Sequence, residues 1–192
     1  KWMLGTRNSF FIGICATLLA TALGTVAALG LSRRNMPFKG TIMAILISPM
    51  IVPLIITSAG MFFFYSKIGL THTYLGLILA HTALGTPFVV ITVTATLTGF
   101  DTNLIRASQS LGADTMRTFF KVIMPLILPG VISGGLFAFI TSFDEVVVVM
   151  FVGSVEQITI PKQMWAGLRQ ETSPVILCMA TCLVALSIGL LT

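Results

Sequence analysis

The feature that most constrains this chain is the gathering of its apolar residues into long runs. A bilayer core about 30 Å thick requires about 20 consecutive apolar residues in a helix. Beta-barrel strands would instead alternate apolar and polar residues in segments of about ten, and these runs show no such alternation. The sequence therefore predicts an all-α, polytopic transmembrane helical bundle that forms a single domain over residues 1–192. Five runs are long enough to act as spans: residues 9–31, 41–65, 74–100, 126–153 and 174–192.

Composition excludes two other classes of protein. The chain of 192 residues is 56% hydrophobic and 9% charged, whereas a soluble domain is about 25% charged. Dense Lys and Arg, which nucleic-acid binding requires, are also missing from the sequence. We therefore expect membrane lipid around the chain and no nucleic acid. The first run exceeds a signal-peptide core of about 7–15 residues, so it is predicted to be a retained span. A further span is expected before Lys1, and a continuation after Thr192.

Orientation depends on the basic residues between the spans. Lys and Arg are divided almost evenly between the two sets of connections, but the turn at residues 33–39 is the densest basic loop. The excess of positive charge in cytoplasmic loops predicts that this turn faces the cytoplasm. The segment 101–125, which follows two spans later, is then expected on the same side.

Small residues and prolines predict how the spans pack. Small residues at intervals of four form a smooth stripe that allows close helix contact. Prolines at membrane depth remove backbone donors and predict kinks, which are typical of transport paths but also of ordinary bundles. The small residues are Ala16, Ala20, Gly24, Ala28, Gly130, Gly134 and Gly135, and the prolines are Pro49, Pro53 and Pro87.

The segment 101–125 carries signals for a helix, a turn and a second helix on the membrane face. Asp101 or Thr102 is placed to cap the first helix, and Gly112 to end it in a left-handed turn. Asp114 is placed to cap the second helix, which is expected to reach Pro125. The first helix would present one shallow apolar face that suits a groove on another protein. That face consists of Leu104, Ala107, Ser108 and Leu111.

This segment resembles the cytoplasmic loop of the inner-membrane permeases of binding-protein-dependent ABC importers. The loop of that family has a Glu-Ala-Ala, three residues, Gly pattern. Two departures are Arg106, where the family usually has Glu, and Ser108, where it has the second Ala. The matching stretch runs Arg106-Ala107-Ser108, Gln109-Ser110-Leu111, Gly112-Ala113, and then Phe119 and Met124-Pro125.

The resemblance implies a type I importer permease of the bacterial inner membrane. The loop would insert into a cleft on an ATPase subunit. The ATPase dimer, not this chain, would bind ATP and Mg. A second homologous permease and a periplasmic or extracellular solute-binding protein would complete the complex, which works by alternating access. The residues expected to couple to the ATPase are Arg106, Ala107, Ser108, Gly112, Ala113, Asp114 and Phe119.

A second resemblance concerns the substrate. Three stretches look most like the polyamine branch, the spermidine and putrescine permeases, although permeases for opines and other cationic or small organic solutes share them. They run from Phe143 to Val148, from Ile160 to Trp165 and from Glu171 to Pro174. The resemblance begins earlier, at Asn8-Ser9-Phe10, and extends over nearly the whole chain.

The residues themselves also favour a cationic solute. Asp144 and Glu145 are the only carboxylates inside the five runs, and an ionisable group at membrane depth is costly unless it faces a cavity or a partner. Adjacent helical residues point about 100° apart, so one carboxylate could face the substrate path while the other caps or pairs. Phe143 or Trp165 could add a cation–π contact. The alternative is a structural carboxylate that pairs with Lys162 or with a partner subunit.

Enzyme and metal functions have little support in the sequence. No Gly-x-x-x-x-Gly-Lys phosphate loop occurs, so no ATP binding and no other cofactor is expected in this chain. His72 and His81 lack a nearby nucleophile or ligand pair, and Cys178 and Cys182 lack partners that would complete a metal site. We therefore predict no catalytic residue and no metal ligand. The alternative from another class is a secondary transporter or channel subunit, which would work without an ATPase.

Overall fold

The computed structural model describes residues 2–33, 35–101, 103–170 and 174–191, and the regular structure in these ranges is helical. In chain order the elements are α1 (Trp2–Leu31), α2 (Lys39–Ile51), α3 (Leu54–Ile68), α4 (Tyr74–Thr98), α5 (Asn103–Ser110), α6 (Thr115–Thr118), a π-helical turn (Phe119–Ile123), α7 (Met124–Phe143), α8 (Val147–Val152), α9 (Ile160–Gln170) and α10 (Pro174–Leu191).

Three helical stretches, α1, α4 and the continuous Thr115–Phe143, are long and apolar enough to cross a membrane. They pack around Val89 of α4, whose side chain is fully buried. A Cβ at Gly24 of α1 would lie 2.7 Å from the Cβ of Val89, and one at Gly134 of α7 would lie 2.7 Å from its Cα. The predicted small-residue stripes are confirmed, because all seven of their members are buried.

The second run bends at Pro53, as the prolines predict, but the bend separates two helices instead of kinking one. Helices α2 and α3 are bent by 104° at the break around Val52 and Pro53. Proline disfavours helical geometry in the residue before it, and Val52 is accordingly extended, with φ −72° and ψ 136°. The pair is therefore a broken span or a re-entrant segment. By contrast, α4 continues through Pro87.

The fourth run differs from the prediction at both ends. The second helix of the 101–125 segment does not end at Pro125, because α6 and the π-helical turn continue directly into α7. The wide turn lies just before Pro125, whose ring would clash with the carbonyl four residues back in a regular α-helix. At the other end α7 stops at Phe143, and α8 begins at Val147 as a separate helix.

The fifth run forms α10, in which the apolar stretch Leu177–Gly189 is shorter than the three spanning helices. Its predicted cap, Ser173, and Thr192 lie outside the described residues. The bundle has two ends, which we name by one residue each. The Arg33 end carries residues 32–33, 35–38, 99–101 and 103–114, and the Asn8 end carries residues 69–73 and 153–159.

Candidate functional site

The ends of α5 follow the predicted local signals. The Asp101 carboxylate accepts a hydrogen bond of 2.9 Å from the backbone N–H of Asn103, while Thr102 lies outside the described residues. Gly112 has φ +81°. The backbone N–H of Ala113 donates to the carbonyl of Ser108 (3.1 Å), and that of Gly112 to the carbonyl of Gln109 (2.9 Å). This pair of bonds around a left-handed glycine is the Schellman motif.

The next turn is also fixed as predicted, by Asp114. Its carboxylate accepts a hydrogen bond of 2.7 Å from the backbone N–H of Arg117 and so caps α6. Phe119 follows in the π-helical turn, with its ring in edge contact with Phe120. The sequence thus located the start of the second helix correctly, although it missed how far that helix continues.

The predicted apolar face of α5 is divided by the structure. Ser108 turns inward, where its hydroxyl lies 2.9 Å from the hydroxyl of the buried Thr118. Ala107 and Arg106 are exposed, as is Leu111, with 88% of its surface accessible. The hydrogen bond to Thr118 therefore explains why this chain has Ser108 at a position where the family has Ala. Thr118 was missed by sequence reasoning, and the departure at Ser108 was the available signal.

We define the outer face of α5 by four of its exposed residues, Asn103, Leu104, Ala107 and Ser110, together with Leu111, which directly follows the helix and is also exposed. Behind α5, at the Arg33 end, lies a cavity of about 480 Å³. Ile105 and Gln109 of α5, Arg33, and Phe119 contribute to its walls. The helix is therefore held against the bundle on one side through a few contacts, and its other side is open.

The acidic pair lies in the break between α7 and α8, and its two members are placed differently. Glu145 is buried, and its carboxylate accepts a hydrogen bond of 2.9 Å from the backbone N–H of Val148. It therefore caps α8. Asp144 is exposed and lines a cavity of about 300 Å³ between the end of α7 and Ser187 with its neighbours in α10. Glu145 therefore has the capping role that was predicted for one of the two carboxylates. That Asp144 faces the substrate path stays a prediction.

The two aromatic candidates are also separated. Phe143 is buried, with its ring centroid 5.0 Å from that of Phe10 and 5.3 Å from that of Phe139. It also lines the cavity beside Asp144. Trp165 lies on α9, is partly exposed, and is not among the described residues that line this cavity. The structure thus brings Phe143 and Asp144 together but not Trp165.

Lys162 was the candidate partner for a structural carboxylate, and the structure places its ammonium group against backbone carbonyls. Its ammonium group donates to the carbonyl of Val149 (3.0 Å) and contacts that of Ser154 (3.4 Å), at the C-terminal end of α8. Burial lowers the pKa of Lys162 below its usual value. With Glu145 at the N-terminus of α8 and Lys162 at its C-terminus, both charges are matched to the helix dipole.

A polar cluster at the Asn8 end was not foreseen. The Asn8 amide, which is 1% exposed, donates to the carbonyls of Glu156 (2.8 Å) and Ile158 (3.0 Å). Its oxygen accepts a hydrogen bond of 3.1 Å from the Tyr74 hydroxyl. The Ser9 hydroxyl accepts a bond from the backbone N–H of Ile160. These bonds fasten the loop 153–159 to α1 and α4.

Comparisons with known proteins agree with this architecture. The family described as binding-protein-dependent transport system inner membrane component matches residues 20–191. The spermidine/putrescine transport system permease protein PotC of Haemophilus influenzae is 31% identical over 183 residues, covering 95% of this chain and 71% of the relative. PotC of Escherichia coli is 29% identical, with 95% and 69% covered.

Two further comparisons concern a second relative and a solved structure. The putrescine transport system permease protein PotI of Escherichia coli is 30% identical, covering 90% of this chain and 64% of the relative. A structure of the inward-facing MetNI methionine ABC transporter superposes with a TM-score of 0.79 at 20% identity, covering 98% of this chain and 90% of that one. The latter likeness supports the fold alone. The chain belongs to the inner-membrane permease components of binding-protein-dependent ABC importers.

Proposed function

We propose that this permease subunit carries a polyamine such as spermidine or putrescine across the bacterial inner membrane by ATP-driven alternating access. The path would form between this subunit and a second homologous permease. An ATPase dimer, which binds ATP and Mg, would drive the cycle, and a solute-binding protein would deliver the substrate. The names of the relatives at about 30% identity support the substrate class.

The observation that carries the ATPase coupling is the open outer face of α5. Leu111 is 88% exposed, and the Schellman turn at Gly112 holds the helix end in a defined geometry. An exposed apolar side chain on a rigid, short helix suits insertion into a groove on a soluble partner. In this proposal the Arg33 end faces the cytoplasm, in agreement with the basic turn at residues 33–39.

Asp144 is the residue that we propose to face the substrate. It borders a cavity at the Asn8 end, whereas Glu145 is engaged in capping α8. A polyamine loses water as it enters the bilayer, and a carboxylate at the mouth of the path would offset part of that cost by neutralising one ammonium group.

The proposal is tested with the whole transporter, assembled from both permease subunits, the ATPase and the binding protein in lipid vesicles. We expect ATP-dependent uptake of labelled spermidine or putrescine. Replacement Leu111→Glu should abolish co-purification of the ATPase and should reduce uptake at least tenfold, because it puts a charge into an apolar contact. Uptake that continues without the ATPase would instead indicate a secondary transporter or channel.

A matched control exists at the opposite end of the molecule. Val155 in the loop 153–159 is 84% exposed, so Val155→Glu adds the same charge at a similarly exposed apolar site. It should leave ATPase co-purification unchanged. If both variants lose the ATPase equally, or if neither variant loses it, the assignment of the outer face of α5 as the ATPase contact is contradicted.

A further inference from the structure

A buried polar pair connects α4 to the last turn of α7. His81 of α4 is 1% exposed, and its Nδ1 lies 2.8 Å from the hydroxyl oxygen of Ser142. Its Nε2 is buried and has no hydrogen-bond partner within the described part of the chain. This pair belongs to neither the outer face of α5 nor the cap of α8, so its role needs a separate explanation.

The protonation of the ring follows from the orphan nitrogen. Buried N–H groups without an acceptor are rarer in proteins than under-satisfied acceptors. We therefore assign the single proton of a neutral imidazole to Nδ1, which then donates it to the hydroxyl of Ser142. In this assignment the bond has a defined donor and acceptor, and it links the last turn of α7 to α4.

The position of Ser142 relative to the helix break gives the bond its consequence. Helix α7 ends at Phe143, and the backbone N–H of Asp144 still donates to the carbonyl of Ile140. Residues two apart on a helix point about 200° apart. Ser142 accordingly faces α4, while Asp144 faces the cavity beside α10. Rotation of this last turn would turn Asp144 away from the cavity.

The contacts deeper in the bundle do not fix that rotation equally well. Between α4 and α7 they are packing contacts: a Cβ at Gly85 would lie 3.0 Å from the Cβ of Ala138, and the rings of Phe88 and Phe137 stack with their centroids 6.2 Å apart. The small residues allow close approach, but these contacts lie further from the last turn of α7 than the bond to Ser142 does. The ring of Phe143 packs between Phe10 and Phe139, which is also a contact without a hydrogen bond.

We propose that His81 and Ser142 are a positioning pair that sets the direction of Asp144 at the break between α7 and α8. The role of Asp144 toward a cationic solute rests on the proposed function, but its direction does not. The direction of the side chain at position 144 can be measured without a transport assay. Neither residue is assigned contact with the solute.

The test reports on the direction of residue 144 itself. In a cysteine-free background, with Cys15, Cys178 and Cys182 replaced by Ala, Asp144→Cys is introduced as the reporter. The complete transporter is held in lipid nanodiscs, and the rate of labelling by a positively charged, membrane-impermeant thiosulfonate is measured. We expect Ser142→Ala and His81→Leu each to change this rate at least fivefold, because each removes the bond.

Two control variants separate positioning from general stability. His81→Asn keeps an N–H donor near the position of Nδ1, so its labelling rate should stay within twofold of the reporter alone. Thr86→Val removes a hydroxyl from the same helix, but that hydroxyl bonds the Thr82 carbonyl of its own helix. Its rate should not change.

The outcomes decide between positioning and a merely structural role. An unchanged labelling rate in Ser142→Ala and His81→Leu would overturn the proposal, whatever their thermal stability. A similar rate change in Thr86→Val would overturn it as well. If His81→Leu does not assemble, Ser142→Ala decides. The proposed substrate role of Asp144 is tested by a different experiment. If that role is wrong, Asp144→Asn will show normal uptake, and the labelling rates of the Asp144→Cys reporter will be unaffected.

Discussion

The loop 153–159 at the Asn8 end and helix α5 at the Arg33 end are both surface connections of the same bundle, yet they are held differently. The first is fastened by side chains of α1 and α4, with Asn8 alone making two bonds to its backbone. The second is held by the hydroxyl contact between Ser108 and Thr118 and lies over a cavity of about 480 Å³.

The two connections differ in how far their surfaces are bonded within the subunit. Several polar groups of the loop 153–159 are satisfied within the subunit: Gln157 is buried and accepts bonds from both the N–H and the hydroxyl of Ser154. The buried Thr159 hydroxyl, by contrast, has no hydrogen-bond partner among the described residues. Helix α5 satisfies its ends but leaves its outer face open. The loop 153–159 therefore has bonds within the subunit that hold it in place, whereas the outer face of α5 is free to contact a partner.

The largest effect is expected from a pair of glycines that have the same conformation at opposite ends. Gly112 has φ +81° and Gly69 has φ +72°, and neither has an atom within 4 Å of a built Cβ. Valine in either position should cost about 1–2 kcal/mol, because a β-branched residue strains the left-handed region. Only Gly112→Val should also lower ATP-driven uptake, by about 100-fold, since it misplaces the outer face of α5 against the ATPase.

The measurements for the two glycine variants are thermal unfolding and uptake at equal amounts of assembled complex. Gly69→Val is the matched control, and its uptake should stay within about threefold of the unmodified protein. Wild-type uptake in Gly112→Val would refute the coupling role of α5. Equal loss in both variants would mean that backbone strain, not ATPase contact, determines the result.

The second prediction concerns the fastening at the Asn8 end. Asn8→Ala should destabilise the folded subunit by about 2 kcal/mol, because it leaves the carbonyls of Glu156 and Ile158 without their donors. Protease cleavage within residues 153–159 should become faster, while ATPase co-purification stays unchanged. Thr6→Val is the control, since the Thr6 hydroxyl bonds the Trp2 carbonyl of its own helix. If the loop of Asn8→Ala is cleaved as slowly as that of the unmodified protein, the role of Asn8 in fastening the loop is contradicted.

The sequence predicted the features that depend on a few adjacent residues. The caps at Asp101 and Asp114, the left-handed turn at Gly112 and the buried stripe from Ala16 onward are each fixed by local backbone chemistry or by helical period. The all-helical membrane architecture followed from hydropathy, because only helices satisfy their own backbone over such runs in lipid.

The sequence did not predict the features that depend on distant partners. Asn8 bonds backbone carbonyls 148 and 150 residues away, and every residue type offers a carbonyl, so no sequence pattern marks the acceptor. The same holds for Lys162 at the carbonyl of Val149. The break after Phe143 was hidden inside an apolar run, so the sequence did not show which of the two carboxylates would cap a helix. Trp165 carried an aromatic signal, but it is not among the described residues that line the cavity beside Asp144.

A third prediction separates the two carboxylates at the break. Asp144→Asn should lower uptake of a polyamine about tenfold, equivalent to about 1.4 kcal/mol, with normal expression and ATPase assembly. Glu145→Gln keeps an oxygen to accept the bond from Val148 and should change uptake less than threefold. Uptake that is unchanged in both single variants and in the double variant would contradict a cation-binding role at this break.

The smallest effect is expected at Arg106, where this chain departs from the usual glutamate of its family. Arg106 is exposed on α5, and its carbonyl accepts a bond from the Ser110 hydroxyl, which does not depend on its side chain. Arg106→Glu should therefore leave the helix folded. It should change coupling by no more than about threefold if the contact there is a solvated ion pair, which is typically worth under about 1 kcal/mol.

The measurement is the ratio of solute imported to ATP hydrolysed. Arg117→Glu is the control, because it makes the same charge change at an exposed position on α6. Preserved or improved coupling in Arg106→Glu would agree with an ATPase groove that accepts the family residue. Complete loss of coupling in Arg106→Glu alone would contradict this prediction and would show that the partner ATPase has adapted to the positive charge, making Arg106 a determinant of which ATPase this permease engages.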